Sequence, residues 1–540
     1  MAGTEGSSKG SRAASCAFMC RLDLLTSAVY PHDPLENDGI ERCTDAPPPF
    51  ALYSLANVVP ALAGIARLSM HIFRPYVVIV LFALAGLGIA SVYCVAAGAA
   101  LLAYLHLFDG KSGESRRLCH LPPGLHCSRS ARTDAIVAMV PALRHPHYEG
   151  TPWIFGGDLA TLYPFLAFSL PLVRYARRWL AVDADDTRRK NGCGGGRNRE
   201  TNGNGRNGGC SHESSDSLDG FTDYRASSIA DGGGGEDQDE RVVVMEADDK
   251  EAVALDVALP EKGLDSAKPF FVVLHGLTGG SGEPYVLDFV SHTLKRGCGV
   301  CVMITRGCMG TPVRGSNLFH GARVTDVKST VQALRRSLPE ETPLAMVGYS
   351  MGGIIALNYA SISGADSGVS CCVSMSGSFD TRTNMKSKHS QRVWQPMLAM
   401  GLKETFVVNN TRKIEERGLD IPAIERCKDV KDMDTHMVAP YNGYADVTSY
   451  YIDMSAAAES KIAGLRTPTL AVASLDDPIM SANGSPIAEL EDIKDLFILL
   501  TRRGGHVGWP TGWLPTRNKW SWMSTTSLDF CEAVVATANM

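Results

Sequence analysis

The sequence predicts an α/β fold, a mostly parallel, doubly wound sheet with a helical cap. Three observations lead there. After Arg241, short apolar runs alternate with helical stretches, the order that joins parallel strands through crossover helices. Residues able to do chemistry cluster just beyond the carboxyl ends of those runs, where such sheets hold ligands. Residues 377–465 separate two runs by far more chain than a loop needs, and so read as a helical cap over that edge.

At 540 residues, with 45% hydrophobic and 20% charged residues, the chain has room for one large domain plus appendages and a sizeable core. A net charge of −6, with no zinc-finger or other nucleic-acid motif, argues against a nucleic-acid partner, which would need a basic face. The 15 cysteines form no paired CxxC sets, and Cys301, Cys371 and Cys372 fall in apolar runs as buried thiols. Neither a metal nor an organic cofactor is expected.

Residues 1–45 are expected to be a disordered start, and residues 46–110 a membrane anchor. Tyr76 to Phe108 lacks any charged residue and exceeds the roughly 20 apolar residues that cross a bilayer as a helix. Ala46 to Ala66 is also uncharged but interrupted by Pro47, Pro48, Pro49, Asn57 and Pro60, and reads as a second span, a re-entrant piece or an interfacial segment. Arg67 and Arg74 before the long span, against Lys111, Arg116 and Arg117 after it, set no orientation. An endoplasmic reticulum membrane is the expected location. Residues 111–182 read as a linker and amphipathic lead-in, with Leu159 to Val173 packing on the soluble domain or resting at the membrane surface. Residues 183–239, rich in Gly, Asn, Ser, Arg and Asp, cannot bury enough apolar surface to offset ordering entropy and read as a disordered insertion.

The domain proper spans 240–540, with candidate strands at Val242 to Met245, Val253 to Val257, Phe270 to Leu274, Val300 to Ile304, Leu344 to Val347, Cys371 to Met375, Thr469 to Ala473 and Leu496 to Leu500. Gly348-Tyr349-Ser350-Met351-Gly352 lies between one of these strands and a helix beginning near Gly353. Strand, GxSxG and helix describe a nucleophile elbow, in which glycines let strand and helix approach while the serine hydroxyl is pushed out at the sheet edge.

A serine hydroxyl needs a base, and the base needs a carboxylate. Leu470 to Pro478 is an apolar strand ending in two carboxylates. Asp477, before the proline, is the candidate acid and Asp476 the alternative. The next strand is followed by Gly504-Gly505-His506, placing His506 third in the order Ser, Asp, His. His275, His320 and His436 lack such a context and read as structural or solvent-exposed. An oxyanion would need two backbone donors. Met351, after the serine, supplies one, and Leu277 in the glycine-rich turn His275-Gly276-Leu277-Thr278-Gly279-Gly280-Ser281 is chosen for the other. In the cap, Met385, Trp394, Met397, Met400 and Tyr450 read as cap core or as the lining of an acyl pocket.

These motifs, with Thr305-Arg306-Gly307-Cys308-Met309-Gly310-Thr311, Gly505-His506-Val507-Gly508-Trp509 and the segment Asp434 through Tyr451, resemble one branch of the α/β-hydrolase superfamily. That branch includes membrane-anchored α/β-hydrolase-domain proteins of animals, embryogenesis-associated proteins of plants and medium-chain ethanol acyltransferase/esterases of yeast. The resemblance covers most of 241–510 and implies Ser350 as nucleophile, Asp477 as acid, His506 as base, and lipid-like ester or thioester substrates. Two departures stand out: Thr305 where the family commonly has Asn, and the insertion at 183–239. An HxxxxD acyltransferase motif is absent, since His320 and Asp326 are six apart. The sequence therefore leads to a membrane-anchored serine esterase or lipase acting through an acyl-enzyme. Capture of that acyl group by an alcohol is one alternative, and a non-catalytic lipid- or hormone-binding relative is another.

Overall fold

A computed structural model describes residues 121–182, 251–311, 313 and 318–540. The expected disordered start, the membrane anchor at 46–110, the insertion at 183–239 and the candidate strand Val242 to Met245 lie outside the described residues. Among the described residues no helix is long and apolar enough to cross a membrane.

Nine strands of the described residues form a single sheet: β1 (Gly124–Cys127), β2 (Ala176–Val182), β3 (Glu251–Ala258), β4 (Phe270–Leu274), β5 (Val300–Ile304), β6 (Leu344–Tyr349), β7 (Cys371–Met375), β8 (Thr469–Ser474) and β9 (Leu496–Thr501). Their spatial order is β1-β9-β8-β7-β6-β4-β5-β3-β2. The pairings from β9 across to β5 are parallel, and the antiparallel strands lie at the two edges. Every residue of β4, β5, β6, β7 and β9 is buried, as strands covered on both faces require.

The main helices are α1 (Ala131–Met139), α2 (Gly157–Ala167), α3 (Pro284–Lys295), α4 (Thr325–Ser337), α5 (Met351–Ser363), α6 (Lys388–Leu402), α7 (Val408–Glu416), α8 (Val447–Met454) and α9 (Ser521–Ala536). The step from β4 to β5 and the step from β6 to β7 run in opposite directions along the sheet. Right-handed crossovers therefore put α3 and α5 on opposite faces and leave a crevice between the ends of β4 and β6. Ser350 follows β6, and the His275–Ser281 turn follows β4. Between β7 and β8, α6, α7 and α8 with shorter turns form the expected helical cap.

The apolar stretch Leu159 to Val173 packs on the domain, one of the two placements expected from sequence, and the lead-in also contributes strands. Residues 121–182 are part of the sheet: β1 pairs antiparallel with β9, β2 with β3, and α2 has Gly157, Ala160, Thr161 and Pro164 buried. The arginines that close its apolar stretch serve packing here. Arg177 forks onto Asp256 at 2.7 and 2.8 Å and also donates to Met309 O (2.9 Å), fixing β2 beside β3.

Candidate active site

The elbow is set by backbone sterics. Ser350 has φ 53°, ψ −117°, a conformation that costs an L-residue energy and persists only where the surroundings enforce it. Its N–H donates to Met375 O on β7 (2.8 Å). The flanking glycines are needed because a Cβ on Gly348 would stand 2.2 Å from Gly352 O, and one on Gly352 2.2 Å from Leu274 O. The turn thus presses β6, α5 and the end of β4 together and leaves the half-buried serine side chain at the sheet edge.

Both later residues reach it. His506 Nε2 lies 2.8 Å from Ser350 Oγ, and Nδ1 lies 2.8 Å from Asp477 Oδ2. With Nδ1–H donating to the carboxylate, Nε2 is left to accept the serine proton. Asp477 Oδ1 accepts from the N–H groups of Ile479 and Met480, both at 2.8 Å. Its side chain is 2% exposed and holds one oxygen for the imidazole.

The neighbouring carboxylate faces elsewhere. Asp476 Oδ1 accepts from Gly505 N–H (2.9 Å), one residue before the histidine. Desolvation pushes its carboxyl up to about 6, against the lowering effect of that hydrogen bond. The two acids divide their contacts: Asp477 meets the imidazole, and Asp476 meets the backbone that carries it.

Leu277 and Met351 border the same crevice. Met351 opens α5, so its N–H has no partner within the helix. In the turn after β4, Gly276 N–H donates to Tyr285 Oη (3.0 Å), and a Cβ on Gly276 would lie 3.4 Å from Ser350 Cβ. The N–H beyond Gly276 belongs to Leu277. His275 organises this turn. It accepts from Thr305 N–H at Nε2 (3.2 Å), so its ring proton sits on Nδ1 and donates to Gly276 O (2.7 Å). Burial lowers its pKa to about 4, keeping the ring neutral. Next to Thr305, Arg306 is fully buried against Asp326 of α4, at 2.9 and 2.6 Å, and braces the β5 end.

Beside Met351, the residue after the serine, lies a cavity walled by Leu277 and Met351 and by Leu402, Phe406, Met437 and Val438 of the cap, among others. Two of its walls are π-helical turns, Lys403–Val407 and Asp434–Val438. Of the cap residues singled out from sequence, Tyr450 lines the cavity, while Trp394 packs elsewhere and donates to Asp158 Oδ1 (2.6 Å). One carboxylate also lines it. Asp434 accepts from Tyr451 Oη (2.9 Å), and burial pushes it up to about 7. Sequence reasoning missed Thr161, Asp158 and Ser376, which hold the site from outside any motif.

The sequence is similar to those of known proteins. A family model described as alpha/beta hydrolase fold matches residues 269–406. The monoacylglycerol lipase of Saccharomyces cerevisiae is 32% identical over 259 residues, 46% of this chain and 57% of that protein. The putative esterase YheT of Escherichia coli is 31% identical, over 48% of this chain and 77% of its own length. Human phospholipase ABHD3 is 25% identical, over 50% of this chain and 65% of its own. The match thus spans little more than half of the yeast lipase and about two-thirds of the human phospholipase. The chain belongs to the α/β-hydrolase family.

Proposed function

We propose that this protein is a serine carboxylic-ester hydrolase acting on lipid-like acyl esters. The observation that carries the reading is His506 standing 2.8 Å from both Ser350 Oγ and Asp477 Oδ2. In the proposed reaction Ser350 Oγ attacks the ester carbonyl while His506 Nε2 takes its proton. Asp477 holds the imidazole by Nδ1 and offsets the charge it gains. The oxyanion is held by the N–H groups of Met351 and Leu277 and by the positive end of α5. Protonated His506 then gives its proton to the leaving alcohol, and the acyl group remains on Ser350. Water, deprotonated by His506, then attacks the acyl carbon, and Ser350 Oγ leaves with that proton from His506 as the acid is released.

The apolar walls of the cavity support an acyl chain as the group held there, and the lipase and phospholipase names of the relatives support a lipid. We further propose that residues 46–110 anchor the protein to a membrane, that of the endoplasmic reticulum, where such substrates partition. Carbonate extraction checks the anchor, because full-length protein released into the soluble fraction contradicts it.

Fluorophosphonate labelling tests the chemistry. Wild type should label, whereas Ser350→Ala should not and His506→Ala should label far more slowly, with turnover falling by about 10⁴–10⁶. A folded wild type that stays unlabelled, or labelling that survives Ser350→Ala, removes the reading. Product analysis with an added alcohol separates hydrolysis from acyl transfer.

A further inference from the structure

The main chain around His506 runs in a loop with no helix or strand partner, so its buried N–H groups must find acceptors elsewhere. Three consecutive amides do so through side chains of three different segments. Gly505 N–H donates to Asp476 Oδ1 (2.9 Å), His506 N–H to Thr161 Oγ1 (2.8 Å) and Val507 N–H to Ser376 Oγ (2.9 Å). Ser474 Oγ and Trp520 Nε1 donate to the carbonyls of Gly505 and Val507 at 2.8 and 2.9 Å. Of these contacts, the one from Thr161 grips the residue that carries the imidazole, across 345 positions of sequence.

Thr161 is suited to that contact. It is 3% exposed, and its hydroxyl proton is committed to Gly157 O (2.7 Å), which leaves the oxygen lone pairs for His506 N–H. The close approach is made possible by glycines on both sides. A Cβ on Gly505 would lie 2.7 Å from Thr161 Oγ1, one on Gly508 2.2 Å from Ala160 O, and one on Gly157 1.6 Å from Asp476 O. The loops bearing the acid and the base therefore rest on the first turn of α2.

We propose that Thr161 is a positioning residue for His506. It touches neither Ser350 nor the site of the reacting carbonyl; it fixes the backbone from which the imidazole spans Ser350 and Asp477. The inference rests on His506 being the base.

The test compares full-length wild type, Thr161→Val, Thr161→Ser and Ser350→Ala in thermal unfolding, kcat and KM for ester turnover, and fluorophosphonate labelling. Thr161→Val keeps the shape and removes the acceptor. It should unfold near the wild-type temperature, lower kcat about 10- to 100-fold with little change in KM, and label correspondingly slowly. Thr161→Ser, which keeps the hydroxyl, should restore most of kcat. Should the valine variant not fold, Thr161→Ala against Thr161→Ser makes the same comparison, since both lack the methyl and one keeps the hydroxyl. A folded hydroxyl-free variant with wild-type kcat and labelling, or a serine variant as impaired as its hydroxyl-free partner, overturns the positioning role while leaving the hydrolase reading intact. A wild type as inert as Ser350→Ala removes both.

Discussion

The turn that carries Ser350 is held by backbone packed directly against it, from α5, β7 and the end of β4, whereas the loop that carries His506 is held by side chains at positions 161, 376, 474, 476 and 520. At the turn, Gly348 and Gly352 let β6 and α5 meet almost in van der Waals overlap, and the strained serine conformation follows from that closeness. At the loop, no repeating ladder exists, and each buried amide is matched individually. A locally enforced element is rigid wherever its strand and helix are intact. A remotely enforced one is only as good as the packing of distant parts, and here those parts include a helix before the matched family segment.

The largest effect that sharpens this contrast is expected within the acid pair. Asp477→Asn presents the wrong group to Nδ1 and should lower kcat by about 10⁴, while Asp476→Asn, which disturbs the backbone at Gly505, should cost about 10- to 100-fold. Steady-state turnover of the two variants decides; equal losses would mean that both carboxylates act through the imidazole. Asp476 also gives the loop a pH dependence that the elbow lacks. Its carboxyl stands near 6 in the folded protein against an ordinary 3.8. The folded state therefore binds an extra proton between about pH 4 and 6, and the contribution of this group to stability declines as pH rises through that window. Asp476→Asn should remove that part of the slope in unfolding measured against pH.

A second pair separates stability from catalysis. Gly352→Ala drives a Cβ into Leu274 O and His275 O, two backbone atoms of the β4 end that cannot swing aside, and should cost about 1–3 kcal/mol or more of stability. Gly505→Ala meets Gly157 O and Thr161 at 2.6–2.7 Å from a backbone with φ +65°. These contacts seat the loop of His506 itself, so turnover should fall more than the melting temperature. Unfolding curves beside kcat for both variants check this; the opposite ranking would mean that the histidine loop, not the elbow, is part of the folding core.

The same contrast explains what was legible in the sequence. The seven candidate strands within the described residues are all strands of the sheet, because each is a short apolar run buried on both faces, a signal carried by the run itself. Ser350, His506 and the neighbouring pair of acids were singled out for a related reason, since each follows such a strand with a turn of recognisable chemistry, and the structure brings Ser350, His506 and Asp477 together. The edge strands β1 and β2 were not, because edge positions tolerate polar residues, and Arg177 and Arg178 hide the alternation in β2. The division of labour between Asp476 and Asp477 was invisible, since it depends on which way each carboxylate turns. Thr161 and Asp158 carry no local pattern at all: a threonine and an aspartate on a helix look like ordinary surface residues until a partner 345 or 231 positions away is known.

Asp158 gives the smallest and most discriminating prediction. It sits one turn from Thr161 on α2, but faces the cap: Trp394 Nε1 donates to Oδ1 (2.6 Å), and His389 Nε2 lies 2.8 Å from the same oxygen. Both partners belong to α6, whose far end contributes Leu402 to the cavity wall. The His389 and Asp158 side chains are 38% and 32% exposed, so their ion pair is worth little, and the buried Trp394 bond matters more. Asp158→Ala should therefore loosen one end of the cap without moving the imidazole, raising KM about two- to fivefold and leaving kcat within about twofold. Set beside Thr161→Val, it divides one helix into a seat for the base and an anchor for the cap. If Asp158→Ala lowers kcat as Thr161→Val does, the two contacts are not separable and α2 transmits cap position to the histidine as a rigid body.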